Sequence, residues 1–217
     1  MDSQLRQTNL ESLISSLRDA GGSPGLTTVR ARPKIALYER AYEYLKEVFS
    51  AVRAKSPFSV DTASAIVADM VANSAPRDDL FIHAIHHDQL EDYHLFNCIN
   101  VAIYVIKMGE VLGFDENRLV RLGTAALLHD VGMGLIPERL ILQKARLTSN
   151  DRELMRKRPI YSHQVLKTLG EPYTWLADYA RQVHERIDGS GYPKGIKGTS
   201  IDENALLIGL ADMYEAL

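Results

Sequence analysis

A chain of 217 residues can bury one large core, and 46% hydrophobic with 24% charged residues is ordinary for a globular domain. A formal charge of -3 without long charged blocks excludes general affinity for DNA, and no apolar run approaches the roughly 18 residues that span a bilayer. The single cysteine, Cys98, excludes an internal disulfide framework, and no basic-then-apolar leader opens the chain, so a cytoplasmic location is expected.

Near the N-terminus, Leu10, Leu13, Ile14 and Leu17 follow the i, i+3, i+4, i+7 spacing of an amphipathic helix. The Gly/Pro stretch Ala20 to Gly25 ends it. Residues 1–33 are therefore expected to form a helix and linker. The helix's apolar stripe either packs on its own domain or forms a homodimer seam.

Residues 34–217 read as one helical domain. Lys34 to about Lys55 places Leu37, Ala41, Leu45 and Phe49 on one stripe. Ser59 or Asp61 caps a second helix toward Asn73, and Pro76 opens a third. His94 to Leu112 forms a fourth, and Asp115 caps a fifth running down to His129. Thr148 and Asp151 resemble a capping box for one helix reaching Leu169. Pro172 starts another, ending before the turn Asp188 to Pro193, and a last helix begins near Glu203. No alternating strand pattern or hairpin signal is present, so the expected class is all-α with an irregular Gly-rich loop. The chain stops inside an apolar helix without a cap, which suggests a shortened C-terminus.

Three places could carry chemistry. His129-Asp130 puts a lone-pair donor and a carboxylate at the foot of the buried run Ala125 to Leu128, where a metal or an ordinary cap could use them. His184 precedes a turn with Gly189, Gly191, Tyr192 and Pro193, open to a ligand or to simple chain reversal. Asp212 sits among Leu207, Ile208 and Leu210 and needs a metal, an Arg or donors if buried, or else lies on a polar stripe with Glu215. From Pro137 to Ile160 basic side chains outnumber acidic ones, which fits a phosphate ligand or a solvated face.

In order along the chain stand Leu-Leu-His-Asp-Val-Gly, Ile-Pro-Glu-Arg-Leu-Ile-Leu, His-Glu-Arg-Ile-Asp-Gly-Ser-Gly-Tyr-Pro-Lys-Gly and Ala-Asp-Met-Tyr-Glu-Ala-Leu. This series resembles the HD-GYP family, a branch of the HD metal-dependent phosphohydrolases, from about Ile35 to Leu217. The resemblance implies a helical bundle, two or three iron or manganese ions, hydrolysis of cyclic-di-GMP, and contact of the Gly-Tyr-Pro loop with diguanylate cyclase domains. It places metal ligands at His129, Asp130, His184 and Asp212, catalytic roles at Asp130 and Tyr93, and ligand or partner contacts at Arg186, Gly191, Tyr192 and Pro193.

Three further ligand positions depart from the family: Asn97, Arg158 and Val183 stand where His is expected, and Met133 where Lys is usual. Val has no lone pair, Asn is a poor ligand for a transition metal, and Arg stays protonated. A guanidinium about 4 Å from a divalent ion repels it by several kcal/mol at an effective dielectric near 20. Arg158 could instead neutralise Asp130 or Asp212 and join a ligand site. The expectation is a degenerate HD-GYP domain that binds cyclic-di-GMP or a signalling partner, with no metal or one divalent ion. The alternative is a phosphodiesterase with a mononuclear site, completed by Asn97 or by His94 one turn earlier. His83, His86, His87 and His163 match no ligand position.

Overall fold

The computed structural model describes residues 28–74, 92–142 and 146–217. The expected helices at residues 1–17 and after Pro76, with His83, His86 and His87, lie outside them. Among the described residues all regular structure is helical: α1 (Thr28–Ala54), α2 (Val60–Ala72), α3 (Tyr93–Val111), α4 (Glu116–Leu128), α5 (Glu138–Ile141), α6 (Ser149–Met155), α7 (Arg158–Lys167), α8 (Thr174–Gln182) and α9 (Glu203–Glu215). A 3-10 turn at Val131–Leu135 follows α4, and a second, Gly198–Ser200, precedes α9.

Helix α3 is the axis of the fold. Every residue from Leu95 to Ile106 is buried, which marks a helix surrounded by others rather than one lying at the surface. It packs against α4 and α9, α2 lies on α4, and α1 covers α2, α3 and the first 3-10 turn. Helices α7 and α8 pack on one another, and α7 also packs on that turn. Leu45, Ile66, Met70, Ile99, Leu122, Leu127, Leu128 and Ile208 fill the common core. Each contributes roughly 1.5–3 kcal/mol by leaving water.

The helix starts have local causes. Ser59 Oγ accepts from Thr62 N at 3.2 Å, and Asp115 Oδ1 accepts from Arg118 N at 2.8 Å. Thr148 and Asp151 form a complete capping box. Asp202 caps α9 by accepting from Asn204 N at 2.8 Å. Each cap satisfies a backbone donor that the helix itself leaves open.

Three boundaries differ from the sequence expectation. Helix α1 starts at Thr28, six residues before Lys34, and includes Pro33. The helix expected to run from Thr148 to Leu169 is two, broken at Arg156–Lys157. Pro159 explains the break: it offers no N–H, and its ring would meet the carbonyl of Met155 in a continuous helix. Helix α8 ends at Gln182, so Val183 and His184 belong to a turn rather than to a helix reaching Asp188.

Candidate functional site: a carboxylate cluster between α3, α4, α7 and α9

The ends of four helices meet at three carboxylates, Asp130, Asp212 and Glu215. His129 is the C-cap of α4, and Asp130 follows it at the mouth of the 3-10 turn. Both are buried, at 2% and 4% exposure. His129 Nδ1 lies 2.7 Å from the carbonyl of Ala126; since a carbonyl only accepts, Nδ1 carries the proton. Nε2 then faces Asp212 Oδ1 at 3.7 Å, beyond a hydrogen bond, and it is buried without a partner.

Asp130 is held by Arg158, whose Nη1 donates to Oδ2 at 2.7 Å. The break before Pro159 makes Arg158 the first residue of α7 and brings its main chain against the turn. A Cβ on Gly132 would come within 2.5 Å of the Arg158 carbonyl and 2.4 Å of Ser162 N, so only glycine permits this approach. Burial pushes the Asp130 carboxyl up; Arg158 pulls it back, and the net direction is upward. Arg158 is itself displaced upward: burial opposes its charge, but Asp130 and Tyr192 favour it.

Asp212, on α9, faces both histidines. His184 Nδ1 stands 3.7 Å from its Oδ2, opposite His129. Burial opposes the Asp212 charge, yet His129, His184 and Asn97 hold its carboxyl well below the usual range. For His129 burial disfavours the charged ring, while the Cys98 sulfur and Asp212 favour it, and the net direction is upward. His184 is pushed down to about 3 by burial and by Arg158.

One turn of α9 later, Glu215 collects three donors from α3. Tyr93 Oη donates to Oε2 at 2.7 Å, Asn97 Nδ2 to the same oxygen at 2.7 Å, and Asn100 Nδ2 to Oε1 at 3.2 Å. Asn97 Nδ2 also reaches Asp212 Oδ1 at 3.0 Å, so one amide bridges both carboxylates of α9. Glu215 was named in the sequence only as part of a polar stripe. Its spacing of three from Asp212, on one helix face, was the signal.

The Gly-rich loop closes the other side. Tyr192 stacks on His184 with centroids 5.0 Å apart at 19°, Arg156 stands 5.6 Å from its ring centre, and its hydroxyl lies 3.4 Å from Arg158 Nη2. Gly191 lets the loop press on the turn behind it, since a Cβ would fall 2.5 Å from the His184 carbonyl. Pro193 follows Tyr192 through a cis peptide bond. Buried Glu185 fixes the loop: Oε1 accepts from Lys194 N at 2.7 Å and Oε2 from Ile196 N at 3.1 Å. In the sequence Glu185 stands only as the Glu of the His-Glu-Arg motif, and no local signal marks it as the anchor of the loop.

Other expected residues lie elsewhere. His94 does not join Asn97: it packs edge-on against Phe49 at 4.9 Å, and its Nδ1 is buried without a partner among the described residues. Arg186 is exposed and meets Met213 Sδ at 3.8 Å. Val183 and Met133 are buried in the hydrophobic core, and His163 bonds the Ala177 carbonyl at 3.1 Å.

These residues do not fit a two-ion centre. The side chains turned toward the carboxylates are mostly donors, where a metal needs lone pairs, and a guanidinium occupies Asp130. Among the described residues no group of three or more His, Cys, Asp or Glu is disposed to hold an ion.

Comparison with known proteins gives the family. The HD domain profile matches residues 61–217. The cyclic di-GMP phosphodiesterase PdeB of Borreliella burgdorferi is 31% identical over 126 residues, 58% of this chain and 33% of that protein. A cyclic di-GMP phosphodiesterase of Thermotoga maritima is 34% identical over 112 residues, 51% of this chain and 30% of that protein. The chain thus spans about a third of the length of these curated relatives. The solved structure of Bd1817, an HD-GYP-type protein from Bdellovibrio bacteriovorus, shares the fold with a TM-score of 0.71 at 20% identity, covering 99% of this chain and 68% of that one. The chain belongs to the HD domain family, and its motifs resemble those of the HD-GYP branch.

Proposed function

We propose that this domain serves cyclic-di-GMP signalling without hydrolysing the nucleotide, as a module that binds cyclic-di-GMP or a signalling protein. The observation that carries the reading is the 2.7 Å ion pair between Arg158 and buried Asp130, at the position where two-metal hydrolysis would need a cation with open coordination sites. Relatives named cyclic di-GMP phosphodiesterases support the ligand class. Tyr192, with Gly191 and Pro193, borders the carboxylate cluster, and Arg156 and Arg158, beside its ring and its hydroxyl, supply guanidinium groups for phosphate. The functional unit is the helical domain from α1 onward, which takes in residues 28–33 ahead of the expected start at Lys34. The loop is the contact for a diguanylate cyclase-type partner, and residues 1–33 carry the homodimer seam. Among the described residues no helix is long and apolar enough to cross a membrane.

Equilibrium titration with cyclic-di-GMP, followed by product analysis of the same samples, tests the reading. Binding without pGpG is the expected result. Turnover abolished in Asp130→Ala would replace it with the second reading, a mononuclear phosphodiesterase. The unpaired Nε2 of His129, buried beside Asp212, is the observation that favours that reading. No binding up to high micromolar nucleotide would leave the protein partner alone.

A further inference from the structure

We infer that Arg158 and Asn97 are a built-in substitute for a bound cation, so that the folded state needs no divalent metal and the pocket accepts one only when Arg158 is removed. The inference extends the reading above but can fail separately, since it concerns metal and folding rather than nucleotide.

Asp130 is buried and Asp212 and Glu215 are half-buried beside it, and carboxylates gathered in this way call for compensating charge or donors. The chain supplies them itself. Arg158 Nη1 meets Asp130 at 2.7 Å. The Asn97 amide spans Asp212 at 3.0 Å and Glu215 at 2.7 Å, and Tyr93 and Asn100 complete Glu215. Four side chains thus turn N–H or O–H groups toward the carboxylates, while His129 Nε2 and His184 Nδ1 each face Asp212 at 3.7 Å, beyond a hydrogen bond.

The arrangement is anchored rather than incidental. Pro159 ends the preceding helix and sets Arg158 at the start of α7. The Arg158 carbonyl is pressed onto Gly132, two residues past Asp130, so both members of the pair are fixed to one rigid contact. The second amino group of the guanidinium points to the Tyr192 hydroxyl at 3.4 Å. A divalent ion binding Asp130 would have to displace a permanently charged group already seated there. Removing that group leaves a buried carboxylate with only the neighbouring His129 ring to offset it, and opens the place beside it to a cation from solution.

The test uses the full chain, with thermal unfolding and elemental analysis read in parallel. The wild type is expected to carry less than about a tenth of an equivalent of iron, manganese or zinc, and to melt at the same temperature with or without chelator. Arg158→Ala is expected to melt lower and to regain several degrees on addition of manganese(II). The double variant Asp130→Asn/Arg158→Met removes both charges and should fold without any manganese response. Should Arg158→Ala fail to fold alone, manganese during refolding should rescue it selectively.

Two outcomes overturn the inference. One is a wild type with about one equivalent of metal and a melting temperature lowered by chelator. The other is an Arg158→Ala protein, folded or not, that manganese does not affect. Neither outcome alters what nucleotide titration reports.

Discussion

Arg158 Nη1 stands 2.7 Å from Asp130 Oδ2, the start of one helix clamped to the end of another, with Asp130 only 4% exposed. A buried pair of this kind adds little net stability when intact, yet breaking it strands a charge. Arg158→Met is therefore expected to lose about 3–5 kcal/mol, and Asp130→Asn/Arg158→Met to recover most of that loss. Urea unfolding of the single and double variants gives the coupling energy. A coupling near zero would mean that the pair is not formed in solution.

The Gly-rich loop hangs on one side chain. Glu185 accepts Lys194 N and Ile196 N with its two oxygens, at 2.7 and 3.1 Å. Hydrogen bonds to a charged group contribute about 1.5–3 kcal/mol each when buried. Glu185→Ala should loosen the loop, with hydrogen exchange rising at Lys194 and Ile196 while the α3 amides stay protected. Glu185→Gln keeps one acceptor oxygen and should lie between. Unchanged exchange at both amides would remove Glu185 from this role.

Much of the frame was legible because caps and apolar spacing are local signals. Ser59, Asp115 and Thr148 each start a helix where expected, and α3 follows the apolar run from Ile99 to Ile106. Pro159 was visible too, but its effect was underweighted against a continuous periodic pattern. His94 and Asn97 share a helix face by spacing alone, yet a rotation between neighbouring turns sends His94 to Phe49 and Asn97 to α9. Such partners are separated by 115 residues in the chain, and no local rule supplies that register. Of the residues that the motif resemblance named, His129, Asp130, His184 and Asp212 gather, while Arg186 lies apart against Met213. What they bond was decided by packing, as Glu215 and Glu185 illustrate.

Tyr192 links the loop to the cluster by ring faces more than by its hydroxyl. His184 stacks at 5.0 Å and Arg156 lies 5.6 Å away, while the hydroxyl contact to Arg158 is a long 3.4 Å. Tyr192→Phe should therefore keep loop position and stability within about 0.5 kcal/mol. Tyr192→Ala should lose the stack and, with it, capture of a diguanylate cyclase domain in a pull-down. Equal capture by both variants and the wild type would separate the aromatic ring from partner contact.

Acid should unfold this domain earlier than its carboxylates alone require. Burial is the main cause that lowers His94 to about 4 from an ordinary 6.5, and His184 is displaced in the same direction. The unfolded chain then takes up these protons more readily than the folded one. The neutral rings contribute full stability above about pH 6.5, and that contribution fades as pH falls toward 4. For partly buried His94 the loss is on the order of 2 kcal/mol once solvent screening is allowed for. Asp212, held below the usual carboxylate range, yields only at more acidic pH. Urea midpoints measured from pH 7 to 4 should show the slope, and His94→Gln should reduce it by up to about one proton. An identical slope in that variant would assign the acid sensitivity to His184 instead.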